Sequence, residues 1–156
     1  MTSDELASAI SGYGAGLEAE LSLLDRLQCL AAEQHEATLR DDVRLLSEIG
    51  EQRQAVMASL VEVEHQIKPL REQLASVLEQ AAAVPGFQDV VALHREAGRL
   101  VSSILAADRQ TMDSLREAEI TRRLAAQTVE KGNSTLAAYR RVVAPHTRSA
   151  IVDRTG

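Results

Sequence analysis

The strongest constraint on the fold of this chain is a regular spacing of apolar residues between Leu46 and Ala81. Alternating steps of three and four reach positions that are all apolar apart from Arg53: Leu46, Ile49, Arg53, Val56, Leu60, Val63, Ile67, Leu70, Leu74, Val77 and Ala81. An average period of about 3.5 residues keeps one narrow stripe of an α-helix against a partner helix along its whole length. We call this set the central seam, and it predicts a long coiled-coil-like helix.

Pro69 lies inside this predicted helix but off the central seam. It lacks the amide that would donate to the carbonyl of His65, so we expect a kink between these two residues. The register of the seam continues beyond the proline, which favours a bend over an end.

A first helix is predicted before the central seam, from the leucines at positions 17, 21, 24 and 27. Asp41 or Asp42 is suited to cap the next helix, and a tight reversal there would fold the first helix against the second. One continuous helix with a stutter is the alternative. Gly12, Gly14 and Gly16 predict that residues 1–16 are a weakly ordered lead-in.

The third helix follows the turn signal Pro85-Gly86, with Phe87 closing one end of the bundle and Asp89 opening the helix. Its seam holds Val90, Leu93, Ala97, Leu100 and Ile104, and after one stutter Leu115, Ala118, Arg122, Ala125 and Val129. The run that begins at Lys131 predicts an end or a hinge. Asn133 or Ser134 would then cap a short amphipathic segment, Leu136 to Val143, that stops at Pro145.

These elements predict an all-α fold, an elongated antiparallel three-helix bundle with long coiled-coil-like helices and a short C-terminal amphipathic segment. The composition agrees, because the apolar residues are mostly aliphatic and the aromatic ones are only Tyr13, Phe87 and Tyr139. We expect a helical body over residues 1–131 and a basic, mobile tail over residues 132–156.

Charge, apolar runs and cysteine content limit the kinds of partner and the cellular compartment that we expect. The formal net charge of −6 and the scarcity of aromatic residues argue against nucleic-acid binding. The longest apolar runs are far shorter than a bilayer span, and the acidic start does not resemble a signal peptide, so we expect a cytoplasmic protein without membrane insertion. Cys29 is the single cysteine, which excludes an internal disulfide, and we expect it to be buried.

The sequence offers little that could support catalysis. Glu62 and His65 have the spacing of half a helical di-iron site, but no second half exists, so we expect no metal and no cofactor. Arg53 and Arg122 both fall on predicted seams and could bind an anionic substrate in a helical pocket. The alternative is that each extends to solvent or pairs with Glu18, Glu51 or Glu119. No general acid or base accompanies them, so we expect no enzymatic activity.

The C-terminal segment differs from the rest of the chain in charge. Residues 131–156 carry five basic side chains against Asp153 alone, a net charge of +4, so the remainder carries −10. Leu136, Tyr139, Val142 and Val143 are apolar at helical spacing. Such a segment docks either on its own bundle or on another protein, and the sequence leaves both open.

The order of these features resembles flagellar export chaperones of the FlgN type, to which FliT-type chaperones are similar. The resemblance lies in Leu17-x-x-Glu20-x-x-x-Leu24-x-x-Leu27, then Gln34-x-x-x-Thr38-Leu with Asp41 or Asp42, then Leu45-Leu-x-x-Ile49-x-x-x-Arg53. The chain size, the acidity and the short tail with a tyrosine are also similar.

This resemblance implies a cytoplasmic type III export chaperone. Such chaperones bind the C-terminal amphipathic helices of hook–filament junction proteins, prevent their early assembly and deliver them to the export gate. In that family the C-terminal portion binds the partner, which implies a surface formed by Leu124, Val129, Leu136, Tyr139, Val142 and Val143. A tyrosine near that end contributes to docking at the export gate, and Tyr139 fits this role. The alternative function is a structural or adaptor coiled-coil protein that forms a homodimer through its seams.

Overall fold

The computed structural model describes the backbone of residues 1–155 and the side chains of residues 1–143. This part of the chain contains α1 (Ser3–Leu39), α2 (Val43–Ser76), the short α3 (Leu78–Ala82) and α4 (Phe87–Thr155), with no strand. The all-α class is therefore confirmed, whereas the antiparallel three-helix bundle stays a prediction. Backbone contacts divide the chain into two units, Met1–Ser114 and Leu115–Gly156. The predicted division at residue 131 stays a prediction.

A tight reversal joins α1 to α2, and the alternative of one continuous helix is wrong. The amides of Asp41 and Asp42 donate to the carbonyls of Thr38 and Ala37, at 3.2 and 3.0 Å, which closes the end of α1. Asp41 has a φ of 54°, in the left-handed region that aspartate tolerates better than most residues. Asp42 is the N-cap of α2, and its carboxylate accepts from the Leu45 amide at 3.1 Å.

The prediction of a weakly ordered N-terminus is wrong, because α1 begins at Ser3. Thr2 and Glu5 form a reciprocal capping box, in which the Thr2 amide donates to Glu5 Oε2 at 2.8 Å and the Glu5 amide to Thr2 Oγ1 at 3.2 Å. Leu6, Ile10 and Tyr13 are then buried within the first turns. An N-terminal segment with a cap and a buried apolar face is ordered despite its glycines.

The glycines in α1 lie where the helix approaches its neighbours closely. A Cβ at Gly16 would overlap the Cγ2 methyl of Ile67 in α2. A Cβ at Gly12 would lie 3.3 Å from Leu70 Cδ1, a tighter contact than is usual. These positions therefore need a small residue for packing, and glycine here serves contact with α2.

Every residue of the central seam is buried or half-buried, which confirms that this stripe of α2 faces the core. Pro69 lies within α2, and the helix continues beyond it to Ser76, as the register indicated. The prediction of one continuous helix up to Ala81 is wrong in detail. Val77 leaves the helical region, with φ −128° and ψ 37°, and separates α2 from α3. Ala81 is nevertheless fully buried, so the seam extends into α3.

The core of the first unit joins α1, α2 and the first part of α4. Its largest fully buried side chains are Leu17, Leu30, Ile49 and Leu100. Polar pairs accompany this packing: Gln28 Nε2 donates to Ser103 Oγ at 2.7 Å, and His35 Nδ1 lies 3.3 Å from Thr111 Oγ1. Cys29 is exposed, so the expectation of a buried cysteine is wrong: its position falls outside the buried stripe of α1.

The turn before α4 depends on Gly86, whose φ of +92° is strained for any other residue type. α4 begins at Phe87, two residues before the predicted start at Asp89, and Phe87 packs half-buried against the core. The predicted end at Lys131, the caps at Asn133 or Ser134 and the stop at Pro145 are wrong, because α4 continues to Thr155. Predicted tail residues beyond Val143 fall outside the described side chains.

Candidate partner-binding surfaces

The second unit contains the residues that the sequence analysis assigned to partner binding. Those side chains are all exposed: Leu124, Val129, Leu136, Tyr139, Val142 and Val143. Leu136 and Tyr139 are 66% and 67% exposed. The predicted continuation of the α4 seam, from Leu115 to Val129, is exposed as well, so it contributes no buried core. Because α4 does not end at Lys131, residues predicted on two separate helices lie on one helix.

A helix of about 100° per residue places these side chains on one face. Between positions 121 and 143, an arc of about 140° holds no charged residue. Its members, which we call the uncharged face, are Thr121, Leu124, Ala125, Thr128, Val129, Gly132, Thr135, Leu136, Tyr139, Val142 and Val143. The whole face is exposed. A contiguous exposed apolar surface of this kind is typical of a protein-binding site.

The threonines of the uncharged face have their hydroxyl groups satisfied within the helix. Thr121, Thr128 and Thr135 donate to the carbonyls four residues earlier, at 2.9, 3.0 and 3.0 Å. Such hydroxyls can be covered by a partner without losing a hydrogen bond, and their methyl groups add apolar area. The threonine row therefore behaves as part of the apolar surface.

The first unit carries a second candidate surface, a groove of about 500 Å³ between α2 and α4. Its floor includes the buried residues Leu24, Leu27 and Ile104 from the core. Exposed apolar side chains form its two walls: Met57 and Val61 from α2, Val101 and Leu105 from α4. We call this the α2/α4 groove.

The α2/α4 groove was not among the predicted surfaces. The signal was present, because each wall residue directly follows a seam residue, as Val61 follows Leu60 and Leu105 follows Ile104. Two apolar residues at adjacent positions make the apolar face of a helix wider than one neighbouring helix can cover.

An ion pair lies at one end of the groove. Arg53 donates to both carboxylate oxygens of Asp108, at 2.7 and 2.8 Å, and to Gln34 Oε1 at 2.6 Å. These bonds to Asp108 raise the pKa of Arg53. Arg53 thus pairs with a carboxylate, as one alternative held, but not with Glu18, Glu51 or Glu119, the acids that the sequence suggested.

Titratable side chains cluster near the other end of the groove. Arg71 donates to Glu64, at 3.2 Å for one of two bonds, and this lowers the pKa of Glu64. Burial, with the nearby Glu64 charge as a smaller cause, raises the pKa of Glu20. Tyr13 Oη lies 3.3 Å from His94 Nδ1, and burial raises the pKa of Tyr13. The contact between Tyr13 and His94 links α1 to α4.

The residues discussed for metal binding do not form a cluster. Glu62 and His65 are exposed, and residues 1–143 contain no group of three or more histidine, cysteine, aspartate or glutamate side chains arranged to hold a metal ion. In the described part of the chain, no helix has both the length and the apolar character needed to cross a membrane. Comparison with protein-family models, curated proteins and solved structures finds no match for this chain.

Proposed function

We propose that this protein is a cytoplasmic type III (flagellar) export chaperone. It binds the C-terminal amphipathic helix of a hook–filament junction protein, keeps that helix from assembling early and delivers it to the export gate. The observation that carries this proposal is the uncharged face of α4, an exposed apolar surface that runs from Thr121 to Val143. A partner helix with its own apolar stripe would cover this face, without a metal or a nucleotide.

The uncharged face is long enough for several of its apolar side chains to be covered at once. Covering one Leu or Val side chain contributes roughly 1.5 to 3 kcal/mol. Association costs about 4 to 15 kcal/mol in lost freedom of motion. Several side chains of the face must therefore be covered together, and a partner that spans Leu124 to Val143 meets this requirement.

Capture of a purified hook–filament junction protein tests the proposal. In Val129→Glu/Leu136→Glu, two charges replace apolar side chains on the uncharged face, and we expect affinity to fall roughly a hundredfold or more. The control Gln127→Glu/Ser134→Glu adds the same charge at the same spacing on the opposite face of the helix. Equal loss in both variants, or no loss in either, would contradict the proposal.

Two further variants separate the roles within the C-terminal part. A chain that ends at Lys131 lacks Leu136 to Val143, and we expect it to capture the partner weakly. Tyr139→Ala removes an exposed ring from the uncharged face, and we expect it to weaken docking at the export gate much more than partner capture, to which the other apolar side chains of the face still contribute. Loss of both functions together in Tyr139→Ala would contradict this division.

The same face would also support the alternative function, a coiled-coil homodimer. Sedimentation of the free chain distinguishes the two: a stable dimer that Val129→Glu dissociates, and whose melting temperature rises with concentration, would favour the structural function.

A further inference from the structure

A smaller pocket, of about 290 Å³, lies in the first unit between α2, the start of α3 and the start of α4. The buried side chains of Leu74 and Val90 line it, together with the half-buried ring of Phe87. Leu78 lines it as well and is 57% exposed. The volume is close to the lower limit of pockets that hold small ligands, about 300 Å³. We call this the Phe87 pocket.

The polar side chains that line the Phe87 pocket lie together at one end. The Tyr13 hydroxyl lies 3.3 Å from His94 Nδ1. Burial raises the pKa of Tyr13, and the charge of the neighbouring Arg71 partly opposes this rise. Arg95 follows His94 on α4, whereas Phe87 lies about 12 Å away along the helix axis. The pocket therefore has a basic end near Arg95 and an apolar end near Phe87.

The charge at the basic end is positive although the chain as a whole is acidic. Among residues 1–143, no carboxylate lines the Phe87 pocket. Arg71 is paired with Glu64, which lines the α2/α4 groove. Arg95 is exposed, forms no ion pair with a described side chain and has no acid three or four positions away on α4. The charge of Arg95 is therefore available to an anion.

We propose that the Phe87 pocket binds a small monocarboxylate with an unbranched apolar chain, such as a medium-chain fatty acid. Its carboxylate accepts hydrogen bonds from Arg95, and its chain lies along Leu74 and Val90 towards Phe87. The described side chains between the two ends are apolar, so a ligand with amide or hydroxyl groups along its chain would leave them unpaired there. This site lies in the first unit and does not depend on the proposed function, which rests on the second unit.

Titration of the full chain with octanoate, followed by NMR of the backbone amides, tests this proposal. We expect a dissociation constant on the order of 1 mM, because so small a ligand buries little area. Octanol has the same chain without a charge, octylamine has it with a positive charge, and we expect both to bind about fivefold to tenfold more weakly. The shifted amides should lie within residues 71–78 and 87–95. Equal binding of the three ligands, or shifts confined to the α2/α4 groove, would overturn the proposal.

A matched pair of variants tests the basic end. Arg95→Gln and Arg109→Gln each remove one exposed arginine of α4, but Arg109 lies about 21 Å further along the helix and does not line the pocket. We expect Arg95→Gln to weaken octanoate binding about fivefold and to leave octanol binding unchanged. Arg109→Gln should change neither. Equal weakening of octanoate binding by both variants would show an effect of net charge alone and would overturn the proposal.

Leu78→Asp tests the apolar end. Leu78 is exposed, so we expect the variant to fold, which circular dichroism checks. It should weaken the binding of octanoate and octanol alike, by about fivefold or more, because the new charge lies where the apolar chain ends. Unchanged binding of both ligands by a folded Leu78→Asp chain would place the ligand elsewhere and overturn the proposal, while capture of a hook–filament junction protein would be unaffected.

Discussion

Gly16→Ala is expected to destabilise the protein, although alanine is the better helix former. In an open helical position this change stabilises by about 1 kcal/mol, because glycine loses more backbone freedom on folding. At Gly16 the added Cβ overlaps the Cγ2 methyl of Ile67 and lies 3.4 Å from Ile67 Cβ. Ile67 is buried and β-branched, so its methyl cannot rotate away freely.

The magnitude follows from these opposing effects. Overpacking of a core by one methyl costs about 1 to 3 kcal/mol, and more where backbones must separate. The overlap with Ile67 puts the cost at Gly16 in the upper part of this range, so after the gain in helix propensity of about 1 kcal/mol we expect Gly16→Ala to lower the free energy of unfolding by about 1 to 2 kcal/mol. Urea denaturation followed by circular dichroism measures this change as a lower midpoint with an unchanged slope.

Gly98→Ala is the matched control for Gly16→Ala. A Cβ at Gly98 would contact nothing within 4 Å, and the residue lies in α4, so we expect a gain of about 0.5 to 1 kcal/mol. The double variant Gly16→Ala/Ile67→Ala should lose less stability than the sum of its two single changes. Stabilisation by Gly16→Ala to the same extent as by Gly98→Ala would refute the close contact between α1 and α2.

Three other changes test separate parts of the first unit. Arg53→Met leaves Asp108 without its paired guanidinium, so we expect the free energy of unfolding to fall by about 1 to 2 kcal/mol. Thermal unfolding measures this change, and an unchanged melting temperature would contradict the pairing. Glu20→Gln should stabilise slightly at pH 7, by less than about 1 kcal/mol after solvent screening, since burial raises the pKa of Glu20 and disfavours its charged form. That gain should vanish below the ordinary glutamate pKa, where both folded and unfolded states are protonated; a gain that persists there would have another cause. Gly86→Ala should lower the free energy of unfolding by about 1 to 2 kcal/mol, because alanine is strained at the positive φ of this position. Urea denaturation measures this change, and an unchanged stability would exclude that turn geometry.

The central seam was predictable because its evidence lies within one helix. Alternating steps of three and four follow directly from helix geometry, and the structure buries or half-buries each position from Leu46 to Ala81. The reversal at Asp41 and Asp42 was predictable for a similar reason, since a capping carboxylate acts on amides of its own neighbourhood.

The glycines of α1 were misinterpreted because the lack of a side chain has two opposite consequences. Glycine loosens an isolated segment, but it also permits two helices to approach. Which consequence applies depends on residues far along the chain: Ile67 lies against Gly16, and Leu70 lies against Gly12. The partner of Arg53 could not be predicted from the sequence for the same reason, since Asp108 comes from another helix.

The predicted break after Lys131 gave too much weight to Gly132 and Asn133. Both are weak helix formers, but each costs only about 1 kcal/mol or less relative to alanine. Residues that form helices well, including the alanines at 137 and 138, follow them, and α4 continues. Because of this continuity, Leu124 and Val129 lie on the same helix as the predicted segment from Leu136 to Val143, and the uncharged face extends from Thr121 to Val143.

Hydrogen–deuterium exchange of the full chain, with and without a purified hook–filament junction protein, tests the central claim most directly. We predict that binding slows exchange over residues 121–143, because the partner covers the uncharged face and suppresses local opening of that part of α4. Protection confined to residues 57–68 and 101–108 would place the partner in the α2/α4 groove and contradict the account.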